Sequence, residues 1–351
     1  MPALRGLAVL LVIFVLYRLL RIGIGGIAKA DYESFSFLTS SLVRSLSDGR
    51  FILLLPAAVA IGWLHRGGTW KEVLGETRFG IVIWATVVIL VWSAALYPFN
   101  FYYGRAHLLD RLAVVATGAL CLRYPAAIPV FTFCVMSSYG QWRFTLGDPE
   151  ITNRKIVLDL LFTLNAILLL RRWKWLNPNL VVITLVSVNL IHYWIPGLAK
   201  FDAGNTAVEW LVEDRPSNMM VAGYFVGWNQ LWDEAGMVQL YQWLAPLEFP
   251  LKIFVLVVEL ALLASFFNHR LMVALTLGRV LLHTGIWILS GDTFWNWILL
   301  QLAITVAFWR KPKVEGLFGP LPAALSAIFV LWTSHSYQAS PLGWMDSRLF
   351  E

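Results

Sequence analysis

The sequence predicts an all-α protein, a polytopic transmembrane bundle of about 9–11 spans, and three observations carry that expectation. Of the 351 residues, 59% are hydrophobic and 14% charged, too little polar surface to solvate a globule of this size, so the bilayer serves as the solvent. The apolar residues fall in runs long enough to cross, or nearly cross, a hydrocarbon layer of about 30 Å. The 18 tryptophans include Trp63, Trp84, Trp173, Trp175, Trp194, Trp295 and Trp297, placed near run ends, where amphipathic rings favour the headgroup layer.

In chain order the runs are 3–24, 51–64, 79–97, 107–122, 125–139, 156–172, 179–197, 250–267, 271–290, 294–309 and 318–336. The first has some marks of a cleavable secretory signal: Arg5, an apolar stretch from Leu7 to Tyr17, and Ala28-Lys29-Ala30. Arg18 and Arg21 stand where such a signal continues with small polar residues, so a retained helix is expected. Run 51–64 is short enough to be tilted, re-entrant or interfacial. The chain reads as a single membrane domain over 1–351, without internal repeat, low-complexity tract or soluble domain.

Three basic clusters set an orientation. Arg66/Lys71/Arg78, Arg171/Arg172/Lys174 and Arg310/Lys311/Lys313 fall on one side of an alternating path, and the positive-inside rule makes that side cytoplasmic, the N-terminus included. The segment 201–249 then lies outside, at the outer or luminal face of a plasma, inner or ER-like membrane. It is acidic, with Asp202, Glu209, Glu213, Asp214, Asp233, Glu234 and Glu248 against Arg215 alone. Trp210, Tyr224, Phe225, Trp228, Trp232, Tyr241 and Trp243 predict short interfacial helices able to act as a lid over a site, or a plain connector resting on lipid.

The net charge of +6 sits in short clusters between apolar runs, which is a topology signal and excludes a nucleic-acid partner. Cys121 and Cys134 lie at different depths in neighbouring runs, so no disulfide is expected, and no zinc-type Cys/His spacing exists. No metal is predicted.

Ionisable groups inside the spans carry the chemical information, since an unpaired charge in hydrocarbon costs at least about 2.5–3.5 kcal/mol. Glu259 lies about ten residues before the turn Asn268-His269-Arg270 and Arg279 about as far after it, so antiparallel packing predicts a structural ion pair between them. His283 shares the Arg279 face at i+4. A second group closes the run 179–197: His192, then Pro196, Gly197, Lys200 and Asp202. Pro196 cannot donate to the carbonyl of His192, and Gly197 permits further bending, which predicts a broken helix end. Lys200 emerges at the outer boundary, where poor hydration favours the uncharged amine that can act as a base, or whence the side chain snorkels to the headgroups. His192 and His283 both fall roughly 12 Å below that surface, so one outward-opening cavity is expected to hold all three. Asp110, Arg111, His107 and Asp159 form a third set that balances charge or lines a polar cavity.

The motif Tyr193-Trp-Ile-Pro-Gly197-Leu-Ala-Lys200-Phe-Asp202, followed by the Glu259 helix and by His283 with Phe294 eleven residues on, resembles the HTTM superfamily, which includes the vitamin K-dependent γ-glutamyl carboxylases. The likeness covers about 180–305. It implies a membrane enzyme in which Lys200 is the base that deprotonates a reduced quinone of the vitamin K kind. Dioxygen then generates a strong alkoxide base, that base takes a proton from a peptide glutamate, and carbon dioxide traps the carbanion. On a reading of this kind His192 and His283 would orient the reactants or share protons, and Tyr193, Trp194, Trp287 and Phe294 are the rings expected to hold the quinone. The large luminal region of those carboxylases has no counterpart after 318–336, which leaves the substrate open: a peptide, or a lipid-soluble small molecule taken from the surrounding lipid. Buried charges and broken helices are equally typical of a transporter or of a lipid- or peptide-handling protein without covalent chemistry.

Overall fold

The computed structural model describes residues 2–25, 49–96, 108–139, 155–171, 176–202, 206, 208–229, 231–292 and 294–336. Ala28-Lys29-Ala30, His107, Arg172, Trp173, Lys174 and Trp175, singled out from the sequence, lie outside these. Every described element is helical. Each of the eleven apolar runs becomes a helix over most of its length, because an apolar segment satisfies its backbone groups internally when it coils.

Helices long and apolar enough to cross a membrane occupy Ala3–Ile24, Thr77–Ala95, Pro178–Ala199 and His269–Ser290, and shorter apolar helices occupy Ile52–Leu64, Pro125–Ser137 and Trp295–Phe308. The run 250–267 falls short of a continuous α-helix: it is α-helical over Glu248–Leu260 and tightens to a 3₁₀ turn at Ala261–Ala264.

The chain divides into two compact units, 1–186 with 312–317, and 187–311 with 318–351. The first holds α1 (Pro2–Gly25), α2 (Gly49–Leu64), α3 (Trp70–Leu74), α4 (Gly80–Val91), α5 (Leu108–Arg123), α6 (Ile128–Tyr139), α7 (Lys155–Leu170) and the start of α8 (Pro178–Ala199). Its buried polar groups are answered across helices. Tyr17 of α1 donates to Asp159 of α7 at 2.6 Å, Asn165 of α7 donates to Thr132 of α6 at 2.7 Å, and the Trp70 indole donates to the Cys121 carbonyl at 2.7 Å. Cys121 and Cys134 are buried and are not joined in a disulfide. Arg171 pairs with Glu72 at 2.6 Å and the Val314 amide donates to Glu76 at 2.8 Å.

The second unit takes α8 from Ser187 onward, then α9 (Glu209–Glu213), α10 (Pro216–Phe225), α11 (Glu234–Leu244), α12 (Glu248–Leu260), α13 (His269–Ser290), α14 (Trp295–Phe308) and α15 (Pro320–Thr333). Among its described residues the segment 201–249 carries α9, α10, α11 and a 3₁₀ turn at Ala245–Leu247, with Phe225, Trp228 and Trp243 exposed. It is tied to the end of α13: Asn229 donates to the Leu289 carbonyl at 2.8 Å and the Trp232 indole to that of Ile288 at 3.3 Å. Helices α12 and α13 approach closely at Gly278, where a β-carbon would lie 2.8 Å from a Val258 methyl.

Candidate functional site

Helix α8 organises the site. Asn189, Tyr193, Gly197 and Lys200 recur at the helical period and line one face. The helix runs through Pro196 to Ala199 rather than breaking there, and Lys200 Nζ lies 3.3 Å from the Pro196 carbonyl, where it caps the last turn as a terminal cation can. Gly197 serves close packing instead of bending. A β-carbon there would meet Leu260 Cδ2 at 2.8 Å and Glu259 Cβ at 3.1 Å, so glycine lets α12 come this near without displacing either side chain.

That approach delivers Glu259 to Lys200. The ammonium donates to both carboxylate oxygens, at 2.9 and 2.7 Å, with the lysine side chain 16% exposed and the glutamate 5%. Trp210, from α9, lies with its ring centre 5.3 Å from Nζ, a cation–π contact from the segment expected to act as a lid. The Glu259–Arg279 pair expected from sequence does not form. The 3₁₀ turn at Ala261–Ala264 interrupts the α-helical period between them, so a residue count from the turn does not carry the direction in which Glu259 points.

Arg279 is instead held by neutral groups. Its Nη1 donates to Asn189 Oδ1 at 3.3 Å and to Gln301 Oε1 at 3.2 Å, its Nε donates to the Leu275 carbonyl at 3.2 Å, and the Gln301 amide donates to Asn189 Oδ1 at 3.0 Å. The guanidinium carbon stands 5.0 Å from the centre of the Tyr193 ring. Asn189, Arg279 and Gln301 are fully buried.

Next to this cluster is a box of rings. Tyr193 and His283 share a hydrogen bond of 2.9 Å between the hydroxyl and Nε2. Trp297 packs edge-on against Tyr193 at 5.0 Å, His283 at 5.1 Å and His192 at 6.1 Å between ring centres. Phe294 lies 5.2 Å from His283. Trp297, read from sequence as an interfacial anchor, is thus the centre of a buried box. Of the rings expected to hold a quinone, the structure gathers Tyr193 and Phe294 here. Trp194 makes no ring contact among the described residues, and Trp287, one turn beyond His283 on α13, is 39% exposed.

Lys200 and the two imidazoles, expected in one cavity, have different direct partners. Lys200 makes no hydrogen bond or ring contact with either histidine; its partners are Glu259, Pro196 and Trp210. Depth along a helix is readable from sequence, whereas direction around it depends on neighbours. Sequence reasoning also passed over Asn189, Gln301 and Trp297. Both amides are polar residues within apolar runs, at helical spacing from Tyr193 and from Trp297, but being uncharged they carry no burial cost that singles them out.

A scan against protein-family models and searches of curated proteins and of solved structures found no match to this chain.

Proposed function

We propose that this chain is an integral membrane enzyme of about 9–11 spans that removes a proton from a lipid-soluble hydroxyl compound such as a quinol. The reading follows its resemblance to the vitamin K-dependent carboxylases. In it, the basic clusters face the cytoplasm with the N-terminus, and the segment 201–249 lies on the outer or luminal face as an interfacial lid. Dioxygen and carbon dioxide are the co-reactants, and the product is an oxidised quinone coupled to carboxylation or oxidation of a peptide or small molecule.

The observation that supports this most is the Lys200–Glu259 pair, half-sheltered at a helix end beneath Trp210. In a poorly hydrated pocket two full charges are costly. Passing the Lys200 proton to Glu259 leaves a neutral amine beside a neutral acid. The lone pair on Nζ then takes the hydroxyl proton of the substrate, and the lid limits entry of water. Glu259 thereby sets the protonation of the base, a task the sequence alone did not assign to it. The Tyr193–His283–Trp297 box, with Phe294, offers flat apolar surfaces for a ring.

The test is an assay of purified protein with a reduced quinone, dioxygen and labelled bicarbonate. The parent is expected to form epoxide, with or without fixed label, and Lys200→Ala to lose at least about a hundredfold of that rate. A Lys200→Ala protein that folds and turns over at the parental rate removes the proposal.

A second reading, a transporter or lipid- or peptide-handling protein without covalent chemistry, draws support from Arg279. A fully buried cation held, among the described residues, by two side-chain amides, a backbone carbonyl and a ring is also typical of sites that bind and release polar cargo. Turnover-independent uptake of a substrate into vesicles would favour it.

A further inference from the structure

The polar cluster on α8, α13 and α14 has a surplus of donors. Asn189 Oδ1 accepts from both Arg279 and Gln301, and Gln301 Oε1 accepts from Arg279. The acceptors of both amides are therefore engaged, while Asn189 Nδ2 and Arg279 Nη2 are buried with no partner. His283 Nδ1 is in the same condition, on a ring linked through Tyr193 to the guanidinium. Where the Tyr193 hydroxyl donates to Nε2, the imidazole proton sits on Nδ1 and this third nitrogen is a donor like the other two. Among the described residues no carboxylate pairs with Arg279: Glu259, the acid nearest to it in the sequence pattern, is committed to Lys200.

A buried guanidinium with unfilled donors and no counter-charge calls for an acceptor that carries negative charge. Two of the unfilled nitrogens belong to side chains already joined to each other, and Arg279 presents its second nitrogen in the plane of a rigid fork. That arrangement suits a flat anion with two oxygens better than a spherical or tetrahedral one. We infer that Asn189 and Arg279, with His283 at the edge, form a buried binding site for a small planar oxyanion of the carboxylate or nitrate type. The site differs from the Lys200–Glu259 pair and does not depend on the chemistry proposed there.

The experiment is thermal unfolding of the purified full chain in detergent, titrated with sodium formate or sodium nitrate against sodium sulfate at matched ionic strength. Formate and nitrate are expected to raise the midpoint saturably, by at least about 2 °C over sulfate, since a ligand that binds only the folded state stabilises it. Asn189→Asp places a carboxylate beside Arg279 as a built-in counter-charge. It is expected to unfold at or above the parental midpoint without added anion and to lose the formate response. A parent whose midpoint follows ionic strength alone, identical in formate and sulfate, overturns the inference. So does a formate response retained in full by Asn189→Asp, which places the anion elsewhere. If Asn189→Asp does not fold, the parental titration still decides the first of these, and Asn189→Leu, which lacks the donor, replaces it in the second: at least tenfold weaker formate binding supports the site, and unchanged binding overturns it.

Discussion

Lys200 and Glu259, 59 residues apart in sequence, form a two-pronged ion pair with the ammonium 2.9 and 2.7 Å from the carboxylate oxygens. The glutamate is the more buried partner, so the pair is asymmetric. Removing the lysine strands a charge in a dry place, whereas removing the glutamate leaves an ammonium with a route to water. Lys200→Met is therefore expected to destabilise more than Glu259→Gln, with about 1–3 kcal/mol of coupling in a double-mutant cycle measured by denaturant or thermal unfolding. Additive single effects would show that the two charges act independently.

Gly197→Ala forces a β-carbon into the 2.8 Å gap to Leu260 and the 3.1 Å gap to Glu259. Overpacking of this kind costs about 1–3 kcal/mol, and the shift of α12 should carry Glu259 away from Lys200. Because the nearer obstacle is a side-chain end, Leu260→Ala in the same chain is expected to restore part of the lost stability. Unfolding midpoints of the two single variants and the double variant check this; a double variant no better than the sum of its parts would place the strain in the backbone.

Trp210 covers the Lys200 ammonium at 5.3 Å from a short helix. Trp210→Ala removes a contact of about 0.5–1 kcal/mol, a small loss of stability, but should expose the amine. Peptide mapping after labelling with a water-soluble amine reagent is expected to show faster modification of Lys200 in the variant. Equal labelling rates in the two proteins would argue that Trp210 does not shield the site.

Trp297 touches His192, Tyr193, His283 and Phe294. Trp297→Ala should cost about 3–5 kcal/mol by opening a cavity among these rings, and Trp297→Phe distinctly less. Thermal unfolding in detergent gives the ranking. An alanine variant as stable as the parent would mean that the box collapses without loss.

In the first unit, Tyr17→Phe deletes the hydroxyl that donates to the buried Asp159 at 2.6 Å. Leaving a buried carboxyl short of a donor costs about 1–3 kcal/mol, and Tyr17→Phe with Asp159→Asn is expected to recover part of it. Unfolding measurements on the three variants test the pairing.

The helical class and the positions of the eleven apolar helices were legible in the sequence, because a long apolar run has few ways other than coiling to satisfy its backbone away from water. The interest of Lys200, His192, His283, Glu259 and Arg279 was legible for a related reason: burying an ionisable group is costly enough to mark it. Partnership was not legible. Glu259 chose Lys200 over Arg279 because Gly197 lets α12 touch α8 and because a 3₁₀ turn alters its rotation, and neither fact can be counted off in residues. Asn189 and Gln301 became counterparts of Arg279 through contacts among three helices that no local pattern encodes. Trp297 likewise reads as an interfacial ring until the surrounding helices enclose it. A sequence determines what each helix must bury and at what depth, since both follow from the chain itself; which side chains meet depends on the angle around each axis, and only packing against neighbours sets that angle.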